Sequence, residues 1–344
     1  MRTAFVGFDL AKNVFQVHAV DRAGRAIRNC KLSRSQVSGY FASLPPCTIG
    51  VEACASAHYW ARELQKLGHT VRLMAPVFVQ PYRKGGKNDA NDAEAICEAV
   101  QRPSMRFVAV KSAEQQATLV LHRLRQQQMR NRVALINQIR GLLSEFGLTM
   151  PQGPNKLRSK LPEILEDGSN TLPYAARRAM ARMRDHLRDM ERVIEDLDQQ
   201  INMQISEDPD AQLLMKIPGV GPLTASAAVA VIGNARVFRN GRQFAAWAGL
   251  VPRQYSSGGK SQLGSITKKG DPYLRTLLVH SARAFYVRAK KSSDPRAAWV
   301  LRLAATRGVA VALVALAAKH ARIIWAMLSA RTEFDPHRAS ATAT

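Results

Sequence analysis

The chain has little acid for its size: 26 Asp and Glu stand against 50 Lys and Arg in 344 residues, a formal net charge of +24. That deficit excludes an ordinary small-metabolite enzyme as the default and points to a polyanionic partner, above all nucleic acid. Cysteine is scarce as well. Cys30, Cys47, Cys54 and Cys97 form no C-x-x-C pair and have no histidine at zinc spacing, so they read as reduced thiols of a cytoplasmic protein. The longest apolar run, Gly308 to Ala318, has 11 residues and stops at Lys319, short of the roughly 18–20 that cross a bilayer. The opening MRTAFVGFDL reaches an aspartate without the apolar stretch of a signal peptide. No internal repeat occurs. Residues 1–105 also lack the succession of glycine-rich phosphate loops that an actin-like kinase needs beside its G-x-D strand turn.

What is present is enough apolar residue, 46%, to bury a core in two domains of about 150 residues each. β-Branched and aromatic runs predict strands at 3–10, 14–20 and 26–32, then a helix near 34–43, a strand at 48–52, a helix at 57–67, a strand at 70–74 and a helix opening near Asn88. Three strands followed by alternating helices and strands is the order of a ribonuclease-H-like α/β domain, assigned to residues 1–108. Residues 109–208 read as a helical region. Residues 102–140 carry eight basic residues and one acid, Glu114, while Met180, Met183, Leu187, Met190, Ile194, Leu197, Ile201 and Ile205 recur at heptad steps. This pattern predicts an antiparallel helical hairpin or coiled coil, packed within the chain or between subunits. The proline-containing stretch 149–173 reads as a loop or broken connector. A mostly helical domain over 209–331 and a disordered tail over 332–344 complete the expected order.

Four carboxylates stand where such a sheet would place a metal site. Asp9 ends the first strand, Glu52 ends the fourth, and Asp89 and Asp92 lie three apart at a helix start and so share a face. Phosphodiester chemistry uses such acids to hold divalent cations about 3.5–4 Å apart, and hard oxygen donors without His or Cys favour Mg²⁺, with Mn²⁺ as a substitute. Each acid alone has a simpler explanation, since acids suit a helix N-terminus. The segment IPGVGP at 217–222 has the form of a helix-hairpin-helix turn, in which Gly219 and Gly221 could bring backbone N–H groups to a phosphate, although a tight turn explains the same glycines. Arg253, Lys260, Lys268, Lys269 and Arg275, interleaved with Tyr255 and Tyr273, suit phosphate contacts and base stacking. The intervening SSGGK reads as a flexible loop. His18, His58 and His280 are scattered and are assigned to packing or surface roles.

The segments FVGFDLAKN, IGVEAC and KNDANDAEAI resemble the DEDD motif of the IS110 family of insertion-sequence transposases, whose first domain is RuvC-like. IPGVGPLTA, FAAWAGLVPRQYSSGGK and ITKKGDPYLRTLL resemble the C-terminal transposase domain of the same family, in the same order, and the long proline-containing middle suggests the IS1111 subgroup. The resemblance implies a transposase-recombinase in which a metal-binding DEDD site acts with a catalytic serine. That serine maps to Ser257, with Ser256 as the fallback. It further implies a covalent serine–DNA intermediate, donor and target DNA as partners, a structured bridge RNA as guide, and a dimer or tetramer with sites shared between subunits. Two other readings stay open: a junction-resolving nuclease that uses water, and a nucleic-acid-binding scaffold whose acids are structural.

Overall fold

Alternation with a period of two sends Phe8 to one face of the first strand and Gly7 and Asp9 to the other, and both faces find helices. The structure, a computed structural model, describes residues 2–86 and 88–337. The sheet is built from β1 (Phe5–Asp9), β2 (Val14–Val20), β3 (Ala26–Ser33), β4 (Thr48–Glu52), β5 (Thr70–Met74) and β6 (Phe107–Val108), in the order β3-β2-β1-β4-β5-β6. β1, β4 and β5 run parallel, while β2, β3 and β6 run antiparallel to their neighbours. Helices α1 (Val37–Ala42), α2 (Ala57–Lys66), the short α3 (Pro76–Val79) and α4 (Asp89–Val100) accompany it. This is a mixed α/β sheet of the ribonuclease-H-like kind; the sixth strand is too short to show as alternation. Phe8 enters an aromatic core, with ring centroids 5.5 Å from Phe15 and 5.1 Å from Phe41.

The opposite face belongs to α4. A Cβ at Gly7 would sit 2.0 Å from the Ala93 carbonyl oxygen, and one at Gly50 would sit 2.8 Å from Val100 Cβ. Only a residue without a side chain lets the helix lie this close.

The chain divides into two compact units, one of residues 1–116, 229–270 and 321–332, the other of residues 117–228, 271–320 and 333 onward. The remaining helices are α5 (Ala113–Ser144), α6 (Pro154–Glu166), α7 (Tyr174–Glu207), α8 (Pro209–Met215), α9 (Pro222–Ile232), α10 (Gly241–Trp247), α11 (Pro272–Arg288), α12 (Pro295–Arg307) and α13 (Val309–Ala330). Within the second unit, Thr118 bonds Gln204, Arg125 pairs with Asp198 and Arg132 with Glu191. Positions rise along α5 as they fall along α7, so the two helices are antiparallel. Met180, Leu187, Met190, Ile194, Leu197, Ile201 and Ile205 are buried and Met183 is partly buried within this one chain, so the heptad face packs inside the chain.

Several expectations are revised. The stretch 149–173 contains helix α6, because Pro154 occupies a first-turn position that needs no N–H and Leu157, Leu161, Ile164 and Leu165 return to one face and join the α5–α7 core. SSGGK is not a loose loop. β7 (Pro252–Ser257) and β8 (Lys260–Ile266) form a hairpin, and Gly258 and Gly259, at φ 55° and 79°, supply the two left-handed residues of its tight turn. Of the tail expected to be disordered, residues 338–344 lie outside the described residues. Glu333, however, pairs with Lys216, and Phe334 lies 4.7 Å over the guanidinium of the buried Arg296. Among the described residues α13 alone is long and apolar enough to cross a membrane by length and composition. Half of its apolar window is buried, and Lys319 and His320 are buried on it, as suits a core helix.

The close contact between β1 and α4 makes a sharp contrast testable. Gly7→Ala should lower stability by about 1–3 kcal/mol or more through overpacking, whereas Gly39→Ala, exposed on α1 with open space at its Cβ, should raise it by up to about 1 kcal/mol. Urea midpoints of the two variants against the parent check the opposite signs.

Candidate active site

The spacing G-x-D in β1 and G-x-E in β4 has a geometric meaning. Residues two apart share a sheet face, so the glycine that admits α4 is followed by an acid on that same face at the strand's end. Asp9 and Glu52 therefore point to the side on which α4 begins. That helix is started by Asn88, whose side chain accepts a hydrogen bond from the Asn91 N–H at 2.9 Å, and Asp89 and Asp92 follow in its first turn. The structure thus brings the four expected acids to one end of the sheet. Their mutual field is visible at Asp9: burial, followed by repulsion from Asp92, Asp89 and Glu52, pushes its carboxyl up to about 6. Arg83, just before the glycine pair of the β5–α4 connection, sets its Nη1 3.4 Å from Asp92 Oδ1. Among the described residues no three His, Cys, Asp or Glu side chains close on a common point tightly enough to grip one ion. The acids are gathered without being closed.

Other expected site residues fall on two structures. In the first unit, Arg253 and Lys260 lie exposed on the hairpin, and Tyr255 beside them is 61% exposed. Ser256 lies exposed near the hairpin's end. The Ser257 backbone pairs with Lys260, and its side chain lies outside what the structure describes. At the hairpin's root the Lys268 N–H bonds the Gly249 carbonyl at 3.1 Å, and Lys268 (φ 53°) and Lys269 are exposed. Arg275 lies partly buried on α11, in the second unit. In that unit Gly219 and Gly221 sit in the turn between α8 and α9. Gly219 is required by packing, since a Cβ there would stand 2.5 Å from the Ser281 carbonyl oxygen, whereas Gly221 faces open space.

Tyr273 is not an available stacking aromatic. Its hydroxyl lies 2.9 Å from His122 Nδ1, and burial pushes its pKa up to about 12. His122, which sequence reasoning passed over, is fully buried and pushed down to about 4 by burial. Its Nε2 lies 2.9 Å from Ser226 Oγ, which donates to the Pro222 carbonyl. The neutral ring therefore accepts from Tyr273, donates to Ser226, and ties α5, α9 and α11 together. A lone histidine on a basic helix carries no pattern that announces this role. Of the histidines assigned to packing or surface, His58 accepts the Lys111 N–H at 3.2 Å and His280 is exposed.

Comparison with known proteins gives the family. Residues 6–147, which hold all four acids, match the DEDD family of IS110 elements, described as "Transposase". Residues 211–298 match "Transposase IS116/IS110/IS902 family". The "Probable family 20 transposase" of Pseudomonas aeruginosa is 50% identical over 337 residues, covering 98% of this chain and all of that one. The "Transposase for insertion sequence element IS1328" of Yersinia enterocolitica is 40% identical across 96% of this chain and 98% of its own length. The "Transposase for insertion sequence element IS1111A" of Coxiella burnetii is 41% identical across 94% and 89%. The chain is a DNA transposase. It belongs to the IS116/IS110/IS902 family of insertion-sequence transposases.

The crowding at Asp9 predicts a pH dependence. Its carboxyl binds a proton more tightly in the folded chain, at about 6, than at the ordinary value of 3.8. The native state holds more protons across that window, so in chelator its stability falls as pH rises from about 4 to about 6 and stays lower above it. Asp9→Asn should lose that decrement and, at pH 7.5 in EDTA, melt above the parent protein. Thermal unfolding at pH 5 and pH 7.5 measures both.

Proposed function

We propose that this transposase cuts and exchanges DNA strands through a transient Ser257–DNA link, with Asp9, Glu52, Asp89 and Asp92 as a divalent-cation site and a structured RNA directing it to sequence. The crowding at Asp9, whose carboxyl is raised by burial and then by Asp92, Asp89 and Glu52, carries the metal half of the reading. Four acids held together by an enforced helix contact are unfavourable until a cation relieves them. The all-oxygen donor set suits Mg²⁺ or Mn²⁺, and membership of a DEDD family suggests divalent-metal dependence. When bound, such an ion stabilises charge on phosphate oxygens. Asp9 and Glu52 hold their places from strand ends, Asp89 and Asp92 from one helix turn, and Arg83 offsets Asp92.

The serine half rests on the family resemblance of YSSGGK and on two local features. The residue ends a strand at a glycine turn slim enough to approach a DNA backbone, and Arg253 and Lys260 stand nearby in the hairpin to offset charge at phosphorus. In this reading the seryl oxygen replaces one DNA oxygen at phosphorus and the departing oxygen takes a proton. The link conserves the phosphodiester, so reversal on another strand rejoins DNA. Arg253, Lys260, Lys268, Lys269 and Arg275, with the open turn at Gly221, hold phosphates. The bridge RNA and the dimer or tetramer with shared sites follow the resemblance, supported by a charge of +24 that can hold two nucleic acids.

Ser257→Ala should abolish both strand exchange and protein-linked DNA while nucleic-acid binding stays within a few fold. Mass spectrometry of the denatured, nuclease-digested complex should find a nucleotide on the peptide containing Ser257. Cleavage without any adduct would favour water as nucleophile and a junction-resolving nuclease. Lys268→Ala with Lys269→Ala should weaken binding similarly for all sequences and flatten the salt dependence by up to about two units of slope; an unchanged slope would place those contacts elsewhere.

A further inference from the structure

The ends of β1, β4 and β5 opposite the acids frame a cavity of about 730 Å³ that none of the roles above uses. Arg2, Arg22, Arg25 and Asp21 line it together with Thr48 and Thr70, the first residues of β4 and β5. It lies wholly within the first unit. From Thr48 to Glu52 is four strand steps, so the cavity and the acid cluster are separated by about 13 Å along one strand.

Its single acid is already neutralised. Asp21 is buried; its Oδ1 accepts the N–H groups of Ala23 at 2.8 Å and Arg25 at 3.0 Å, and its Oδ2 accepts Arg25 Nε at 2.9 Å. These bonds, led by the Arg25 N–H, hold the carboxyl below the usual carboxylate range. They also make the β2–β3 turn a fixed support instead of a loose loop, with the Gly24 N–H bonded back to the Asp21 carbonyl. The turn presents Arg22 at the cavity, and Arg2 enters it from the residues preceding β1. Among the described residues neither Arg2 nor Arg22 has an acidic partner, and both are exposed.

Two unpaired guanidinium groups, the outer face of a third and threonine hydroxyls at the rim make a donor-rich hollow whose acid has been silenced. Guanidinium forks match phosphate oxygens, and the volume exceeds that of an isolated phosphate, leaving room for its sugar. We infer that this cavity is a second nucleic-acid site, which grips a phosphate and its sugar at the sheet end remote from the acids. The inference rests on the reading of this unit as a nucleic-acid enzyme. The site reads no sequence: it anchors a backbone while chemistry proceeds at the other end.

Binding of fluorescein-labelled single-stranded RNA, single-stranded DNA and duplex DNA to the full chain, in EDTA and over a salt series, tests the site without catalysis. Arg2→Ala with Arg22→Ala should weaken at least one of the three by about fivefold or more and reduce its salt slope by about 1.4 to 1.8, two phosphate contacts' worth. Thr70→Trp, which fills the rim without changing charge, should weaken the same probe. The probe affected tells RNA from DNA, and competition by free nucleoside monophosphate at equal concentration to the oligonucleotide would show a small-molecule site and overturn the inference. An equal charge loss on α12, Arg302→Ala with Arg307→Ala, should not reproduce the pattern; if it does, or if both cavity variants bind all three probes as the parent does, the inference fails. Absence of binding by the parent protein would instead remove the nucleic-acid reading on which it rests.

Discussion

Four carboxylates that repel one another are kept together by a backbone contact that only glycine permits. β1 and α4 meet where a Cβ on Gly7 would strike the Ala93 carbonyl, and β4 makes the corresponding approach at Gly50. The strand period then places Asp9 and Glu52 beyond those glycines on the helix side, and the Asn88 cap begins α4 so that Asp89 and Asp92 face the same place. Burial first, and then repulsion from Asp92, Asp89 and Glu52, raises the proton affinity of Asp9. Packing supplies the constraint, and the acid field is its consequence. At Asp9 a positive ligand would relieve the burial and repulsion that disfavour its charge.

Much of the first unit was legible because its signals are local. Alternating apolar runs located five of the six strands to within a few residues, and Asp9 and Glu52 at strand ends with Asp89 and Asp92 three apart at a helix start marked the acid cluster. The helix at 154–166 is obscured in the sequence because Pro151, Pro154, Pro162 and Pro173 have the form of a connector and mask the recurrence of Leu157, Leu161, Ile164 and Leu165. The hairpin was hidden among helices, although Gly-Gly between two polar, alternating segments is the sequence form of its turn. Polar partnerships over long sequence separations left no trace at all. His122, Ser226 and Tyr273 meet from three helices, and nothing within any of those helices specifies the other two.

Charge is also less available than its total suggests. Arg125 and Arg132, which sit on the basic α5, are turned to Asp198 and Glu191 of α7. Arg123 and Arg130 of the same helix stay exposed, so α5 spends part of its charge on packing against α7 and leaves part at the surface. Near the acids, Arg83 offsets Asp92 and Lys84 reaches Glu94.

The central claim is that the crowded acids are a cation site. Mn²⁺ can stand for the physiological ion and is read directly by electron paramagnetic resonance, since bound and free ion differ in spectrum. Titration of the full chain at pH 7.5 should show bound Mn²⁺ in the parent protein, displaced by Mg²⁺, with affinity falling by about tenfold or more in both Asp9→Asn and Glu52→Gln. Equal Mn²⁺ binding by the parent and both variants would contradict the account, because the charge gathered around Gly7 and α4 would then serve no ion.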